Sequence, residues 1–353
     1  MKMSSVFCLP CKMTEVMKNL IRYFDMFAGI GGFRAGLDRA GGFRCVGHCE
    51  IDKYADASYR AIHNIRKEEF FYPDATKIDP AELPDFDLLC AGFPCQPFSA
   101  SGRKRGFVDA RGTLFFEISR LAEAKRPSYL LLENVPGLLF HDRCRTFAAI
   151  LSALDELGYH VEWSVLNSAD FGVPQSRRRV FIIGYLNARC AGKILPVFGA
   201  NGKALIQVIG GHQGGRVYDP AGSARTLTAG TGGMGGKTGL YLVDLCKGRP
   251  EQSEIARCLT ACYGQTCLSN RPRECSGVLV IKGKEKRIRR LTPRECFRLQ
   301  GFNEEQIDRI LAITSDSQAY KQAGNCVTVN VIEAIGKRIR AVEKELRKKD
   351  SAA

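Results

Sequence analysis

Arg22-Tyr23-Phe24-Asp25-Met26-Phe27-Ala28-Gly29-Ile30-Gly31-Gly32 is the stretch that decides the fold. Residues 22–27 read as a strand, the glycines as a tight turn, and the chain around 33–40 as a helix. Glycine permits such a turn and lets backbone approach a ligand closely. The same alternation continues outward. Residues 43–50 predict a second strand and 53–65 a helix. Residues 87–91 and 129–133 predict strands followed by helices over 114–124 and 146–157, and 161–167 and 179–185 two further strands. This β-α-β-α order implies a mostly parallel, doubly wound sheet.

The character of the chain changes near Pro196. Residues 199–286 are rich in Gly, Thr, Arg and Lys and lack helical periodicity. They predict a smaller domain of short strands. An internal echo runs through it, Ala224-Arg225-Thr226-Leu227-Thr228-Ala229 against Ala256-Arg257-Cys258-Leu259-Thr260-Ala261. Ile332, Ile335, Ile339, Val342 and Leu346 then recur at helical spacing and predict a final amphipathic helix with a basic end.

Composition narrows the class. The 353 residues are 45% hydrophobic, enough for a sizeable core, and 52 Lys and Arg outnumber 37 acids to give a net charge of +15. That excess predicts a polyanionic partner, most often nucleic acid. Fifteen scattered cysteines in a long chain fit reduced cytosolic thiols better than a disulfide framework. Cys8-Leu9-Pro10-Cys11 precedes any βαβ pattern and lacks a second pair, so residues 1–20 read as an extension. No run of about 18 apolar residues predicts a membrane span.

Four constellations could carry chemistry. The glycine turn departs from the dinucleotide pattern at Arg34, which argues against NAD or FAD and leaves an adenosine-type ligand open. Glu50 ends the second strand, where an acid can accept from ribose hydroxyls, and Asp74 could bind an adenine amino group. Pro94-Cys95-Gln96-Pro97 fixes a thiol on stiffened backbone just past a strand, and the basic stretch from Ser99 to Gly106 eases its ionisation. Glu133-Asn134-Val135 ends an apolar strand, where an acid is costly without a task. Gln175-Ser176-Arg177-Arg178-Arg179 leads into a strand, so Arg177 and Arg179 share a face and could hold a carboxylate and a polar base edge. The plainer alternatives are structural turns, capping acids and a solvated basic loop.

Together these residues resemble the DNA (cytosine-5) methyltransferase family. Phe24-Asp25-Met26-Phe27-Ala28-Gly29-Ile30-Gly31-Gly32 is similar to its cofactor motif and Gly92-Phe93-Pro94-Cys95-Gln96-Pro97-Phe98-Ser99 to its nucleophile motif. Glu133-Asn134-Val135 and Gln175-Ser176-Arg177-Arg178-Arg179 match the next two. Arg290-Leu291-Thr292-Pro293-Arg294-Glu295 and Gln322-Ala323-Gly324-Asn325-Cys326-Val327 resemble the last two. All six stand in family order.

The resemblance implies an α/β Rossmann-like methyltransferase domain with a smaller, mostly β target recognition domain. S-adenosyl-L-methionine is the expected methyl donor, S-adenosyl-L-homocysteine the product, and no metal is needed. It implies Cys95 as nucleophile, Glu133 as the acid at the cytosine ring, and Arg177 and Arg179 as support. The expected cofactor contacts are Phe27, Ala28, Gly29, Ile30, Gly31, Gly32, Glu50, Ile51, Asp74, Ala75, Pro94, Leu114, Asn325 and Val327. Double-stranded DNA is the expected partner, bound through Ser99, Arg103, Lys104, Gln213, Arg216, Thr226 and Leu227. Gln213 would fill the gap left by a flipped base. The second copy of the echo has Cys258-Leu259 where the first has Thr226-Leu227, which leaves open which copy reads bases.

The expected organisation is an extension over 1–20 and a catalytic domain over 21–195. A recognition domain over 196–290, a hinge and return segment over 291–325 and a C-terminal helix over 326–353 follow. A cytoplasmic prokaryotic or phage modification enzyme, monomeric on DNA, is expected, with a cognate restriction endonuclease left open. The alternatives are a tRNA cytosine-5 methyltransferase, whose Cys-Phe-Thr signature is absent here, and a catalytically silent DNA-binding protein.

Overall fold

A computed structural model describes residues 20–94, 114–195, 197 and 291–351 in full, and parts of 207–289 as backbone strands. The chain opens with β1 (Ile21–Met26), α1 (Gly32–Ala40), β2 (Phe43–Cys49), α2 (Lys53–Ile62) and β3 (Phe70–Tyr72). β4 (Leu88–Gly92), α3 (Leu114–Lys125), β5 (Tyr129–Asn134) and α4 (Arg145–Glu156) follow. β6 (His160–Asn167), β7 (Gln175–Ser176) and β8 (Arg178–Tyr185) complete this half. The main sheet has the order β3-β2-β1-β4-β5-β8-β6. Neighbours are parallel from β3 to β5, and β8 runs antiparallel to both β5 and β6. The doubly wound α/β expectation holds, with one reversed strand inserted near an edge.

Side chains alternate across each strand, so both faces of the sheet are dressed. Leu89, Ala91, Leu130 and Leu132 face α3 and α4, where Ile118, Leu121, Ile150 and Leu154 close one core. Leu88, Cys90, Tyr129 and Leu131 face the other way, towards Phe33 and Leu37 of α1. The second core is completed by α8 (Val329–Asp350), after α5 (Pro293–Leu299), α6 (Glu304–Leu311) and α7 (Asp316–Asn325). α8 buries Ile332, Ile335, Ile339, Val342 and Leu346, the stripe read from sequence.

Residues 291–325, expected as a hinge and return segment, contain three short helices around a third apolar cluster that includes Phe297, Ile307 and Ala323. Two are opened by reciprocal capping boxes, Thr292 with Glu295 and Asn303 with Gln306. The described parts of 207–289 are strands, four of them forming an antiparallel sheet. One short strand, Ala256–Arg257, pairs in parallel with Gln175–Ser176 and so ties the second copy of the echo to the segment that leads into β8. Among the described residues no helix is long and apolar enough to cross a membrane.

One buried acid stands out in β1. Asp25 is 0% exposed, and neither carboxyl oxygen has a hydrogen-bond partner among the described residues. Burial raises its pKa well above the usual carboxylate range, against a smaller downward pull from Arg34. The folded chain therefore retains a proton that the unfolded chain releases as pH rises past about 4. Stability should fall by about 1.4 kcal/mol per pH unit from there up to the folded pKa. Asp25→Asn is expected to flatten that decline, so that urea unfolding shows a larger stability gain at pH 8 than at pH 5. An unchanged pH dependence would refute the assignment.

Candidate active site

The carboxyl ends of β1, β4 and β5 open onto a cavity of about 430 Å³. The β1–α1 turn forms one wall. Phe27 and Gly29 there hold φ of 57° and 56°, a left-handed region that costs a side chain but not glycine. A Cβ on Gly29 would meet nothing within 4 Å. Glycine is thus needed for its conformation, and the space beside it stays open to a ligand. Gly32 is different: a Cβ there would lie 2.6 Å from Cys326 Sγ and 2.9 Å from the Val327 carbonyl. The segment after α7 crosses directly over the start of α1, which fixes the turn from behind. Val327 is buried in that crossing.

Glu50, at the end of β2, faces the turn. One carboxylate oxygen accepts from Gly29 N at 2.7 Å and the other from Asp52 N at 2.8 Å. Burial raises its pKa, and those backbone donors partly offset the rise. Ile51 beside it is 77% exposed at the rim. The mouth is crossed by an ion pair between Asp52, which caps α2, and Lys321 of α7, at 2.6 Å. Arg34, the residue that breaks the dinucleotide pattern, is buried and holds Glu69 at 2.6 Å and the Asn64 carbonyl at 3.0 Å. Its role is to pin the layer behind the turn.

The second wall carries an acid and two arginines. Glu133 sits directly opposite Gly92 in the β4–β5 register. Arg179 Nε approaches its Oε1 at 3.1 Å. Burial raises the Glu133 pKa, and Arg179 and Arg177 pull it back, which leaves a carboxyl that keeps its proton at higher pH than an ordinary glutamic acid. Arg177 is 2% exposed and donates to the Gly324 and Cys326 carbonyls at 2.9 and 2.8 Å. Both arginines line the cavity, as their shared face predicted. One holds the carboxylate; the other clamps the returning chain.

Asn134 donates to the Phe93 carbonyl at 2.8 Å and accepts from Val135 N at 2.8 Å. This bond anchors the backbone two residues before Cys95. Pro94, exposed at the cavity wall, is the last described residue before that thiol. Cys95, Ser99, Arg103, Lys104, Gln213, Arg216, Thr226, Leu227 and the Cys8–Cys11 pair lie outside the described residues. Cys326 does line the cavity, but burial pushes its pKa up to about 12 and its Sγ donates to the Val327 carbonyl, so it stays a thiol.

Of the sequence-predicted cofactor residues, Phe27, Gly29, Ile30, Glu50, Ile51, Pro94, Leu114 and Asn325 line this cavity. Ala28, Gly31, Gly32 and Val327 are not among the lining residues; Gly31 packs against His63 and Tyr59, and Gly32 against Cys326 and Val327. Asp74 and Ala75 are not among the lining residues; Asp74 caps a short 3₁₀ turn through Thr76. Lining residues the sequence did not single out are Asp52, Ala55 and Lys321. An Asp placed just before the α2 apolar pattern is an N-cap signal and could have flagged Asp52.

A family model for C-5 cytosine-specific DNA methylases matches residues 21–199 and 241–341. The Type II methyltransferase M.NlaX of Neisseria lactamica is 37% identical over 337 residues, covering 91% of this chain and 97% of its own. M.HhaI of Haemophilus parahaemolyticus, another Type II methyltransferase, is 33% identical over 353 residues, covering 89% and 93%. The crystal structure of S. pombe Dnmt2 methyltransferase superposes with a TM-score of 0.58 over 92% of this chain and 99% of its own. At 18% identity that likeness speaks for the fold alone.

Proposed function

The chain belongs to the C-5 cytosine-specific DNA methylase family, and from that premise we propose that it methylates C5 of a flipped-out cytosine in duplex DNA, using S-adenosylmethionine. The observation that carries this reading is the buried Glu133–Arg179 pair, facing an open cavity beside Gly29 and one strand from the backbone that leads to Cys95. The cavity residues fit the donor. The space over Gly29 admits close backbone contact, and Glu50 offers carboxylate oxygens at the β2 end. Bound there, the donor supplies an electrophilic methyl group.

The chain's own residues do the rest. C5 of cytosine is a weak nucleophile, whereas C6 is electron-poor. The Cys95 thiolate bonds to C6, and the ring electrons shift towards C5 and N3. Glu133 lies where it can hydrogen-bond N3 and give up its retained proton as charge grows there. Once C5 carries the methyl group, a solvent water takes the C5 proton, the ring double bond re-forms, the thiolate leaves C6 and N3 returns its proton to Glu133. A stacked base cannot reach Cys95, so the nucleotide is flipped at a cost of a few kcal/mol. Arg103, Lys104 and Arg216 supply phosphate contacts, and Ser99, Gln213, Thr226 and Leu227 contact the target region. The enzyme acts as a cytoplasmic modification methyltransferase, as a monomer on its duplex.

Labelled methyl transfer from S-adenosylmethionine, offered duplex DNA and tRNA in parallel, tests the reading. Label is expected in DNA cytosine. Label confined to tRNA, or in neither, would defeat it.

A further inference from the structure

Asp142, Arg143 and Cys144 hold φ of 48°, 55° and 68° in succession. None is glycine. A run of three left-handed side-chain-bearing residues is costly and persists only where its surroundings impose it; such strain gathers at functional sites. Here His141 Nδ1 meets Thr146 Oγ1 at 2.7 Å on one side of the run. Asp142 binds both the backbone N–H and the guanidinium of Arg145 on the other. This hydrogen-bonded turn leaves Phe140 75% exposed, with Arg143 also at the surface.

The turn's position gives it meaning. It joins β5 to α4 at the carboxyl edge of the sheet, where Glu133 and the glycine turn also lie. The segment starts at Val135, which lines the cavity and is itself 40% exposed, and runs outward from there. An exposed aromatic, with an exposed cation three positions along the same turn, is poorly matched to water alone. A nucleotide presents an apolar sugar and base face next to a phosphate, which matches that pair.

We infer that the Phe140–Arg143 turn is a duplex-contacting element, with Phe140 packed on a sugar or base face next to the target nucleotide and Arg143 on a phosphate. This rests on the methyltransferase reading of the adjoining site.

The test is equilibrium binding of the full chain to a duplex carrying its methylation target, with cofactor affinity and thermal midpoint measured alongside. Phe140→Ala is expected to weaken duplex binding about tenfold, with both controls unchanged, and Phe140→Tyr to restore it. Arg143→Ala is expected to lower the slope of log affinity against log salt by about one. Unchanged duplex affinity in Phe140→Ala would overturn the inference while leaving the methyltransferase reading intact. So would a fall in kcat alone, or a solution dimer that the substitution breaks. A wild-type chain that methylates no DNA would remove the underlying reading instead.

Discussion

Cys95→Ser is expected to lower methyl transfer by about 10⁴-fold or more while duplex binding stays close to wild type. In the proposed mechanism the attacking species is a thiolate, and a serine hydroxyl has no comparable ionised population near neutral pH. Among the described residues the competing thiol is Cys326, which lines the cavity, but burial holds its pKa at about 12 and its sulfur donates to a carbonyl. A duplex with 5-fluorocytosine at the target position separates the two. Fluorine cannot leave C5 as a proton does, so the adduct persists and can be mapped by peptide. An adduct on the Cys95 peptide supports the mechanism. An adduct on Cys326, or wild-type turnover by Cys95→Ser, rejects it.

Glu133→Gln is expected to lower single-turnover methylation by about 10²- to 10⁴-fold, the usual scale for a positioned acid. Glutamine keeps the shape but has no proton to release, and it leaves Arg179 facing an amide. The sign of the pH dependence follows from burial. The Glu133 pKa is raised, and the protonated carboxyl is the competent form, so the rate should fall as pH climbs through that raised value. Arg179→Ala removes a cation that pulls the pKa down and should move the falling limb to higher pH. Glu133→Gln should lack the limb. A glutamine variant within tenfold of wild type would end the acid assignment.

These expectations grew from a sequence that disclosed its sheet readily. The strands at 22–27, 43–50, 129–133 and 161–167 were legible because each is a short stretch rich in apolar and β-branched or aromatic residues that alternates with a helical pattern. β3 was not: Phe70–Tyr72 is three residues long, directly after Arg66-Lys67-Glu68-Glu69, and no period can be read over so few positions. The reversal of β8 was invisible too, because inside-outside alternation is the same whichever way a strand runs. The helices of 293–325 are short, yet the Thr292–Glu295 and Asn303–Gln306 boxes that start two of them were written in the sequence.

The site shows the same divide. The Glu133–Arg179 pairing was foreseeable from a strand-end acid and a basic strand. That Arg177 spends its donors on the Gly324 and Cys326 carbonyls was not, since backbone acceptors carry no sequence signature. The Asp52–Lys321 pair joins elements distant in the chain, and neither residue alone announces the other.

The crossing of Cys326 and Val327 over Gly32 also sets an order of birth. Arg177 must wait 147 residues for the Gly324 carbonyl it clamps. During synthesis the Gly29 turn, Glu133 and both arginines emerge first, into a sheet whose second face is covered only by α1. Only when the closing helix leaves the ribosome do Ile332, Ile335 and Ile339 cover that face and the turn gain its backing. A nascent chain can therefore hold Glu133 and both arginines while the turn at Gly29 still lacks the backing that its tail provides.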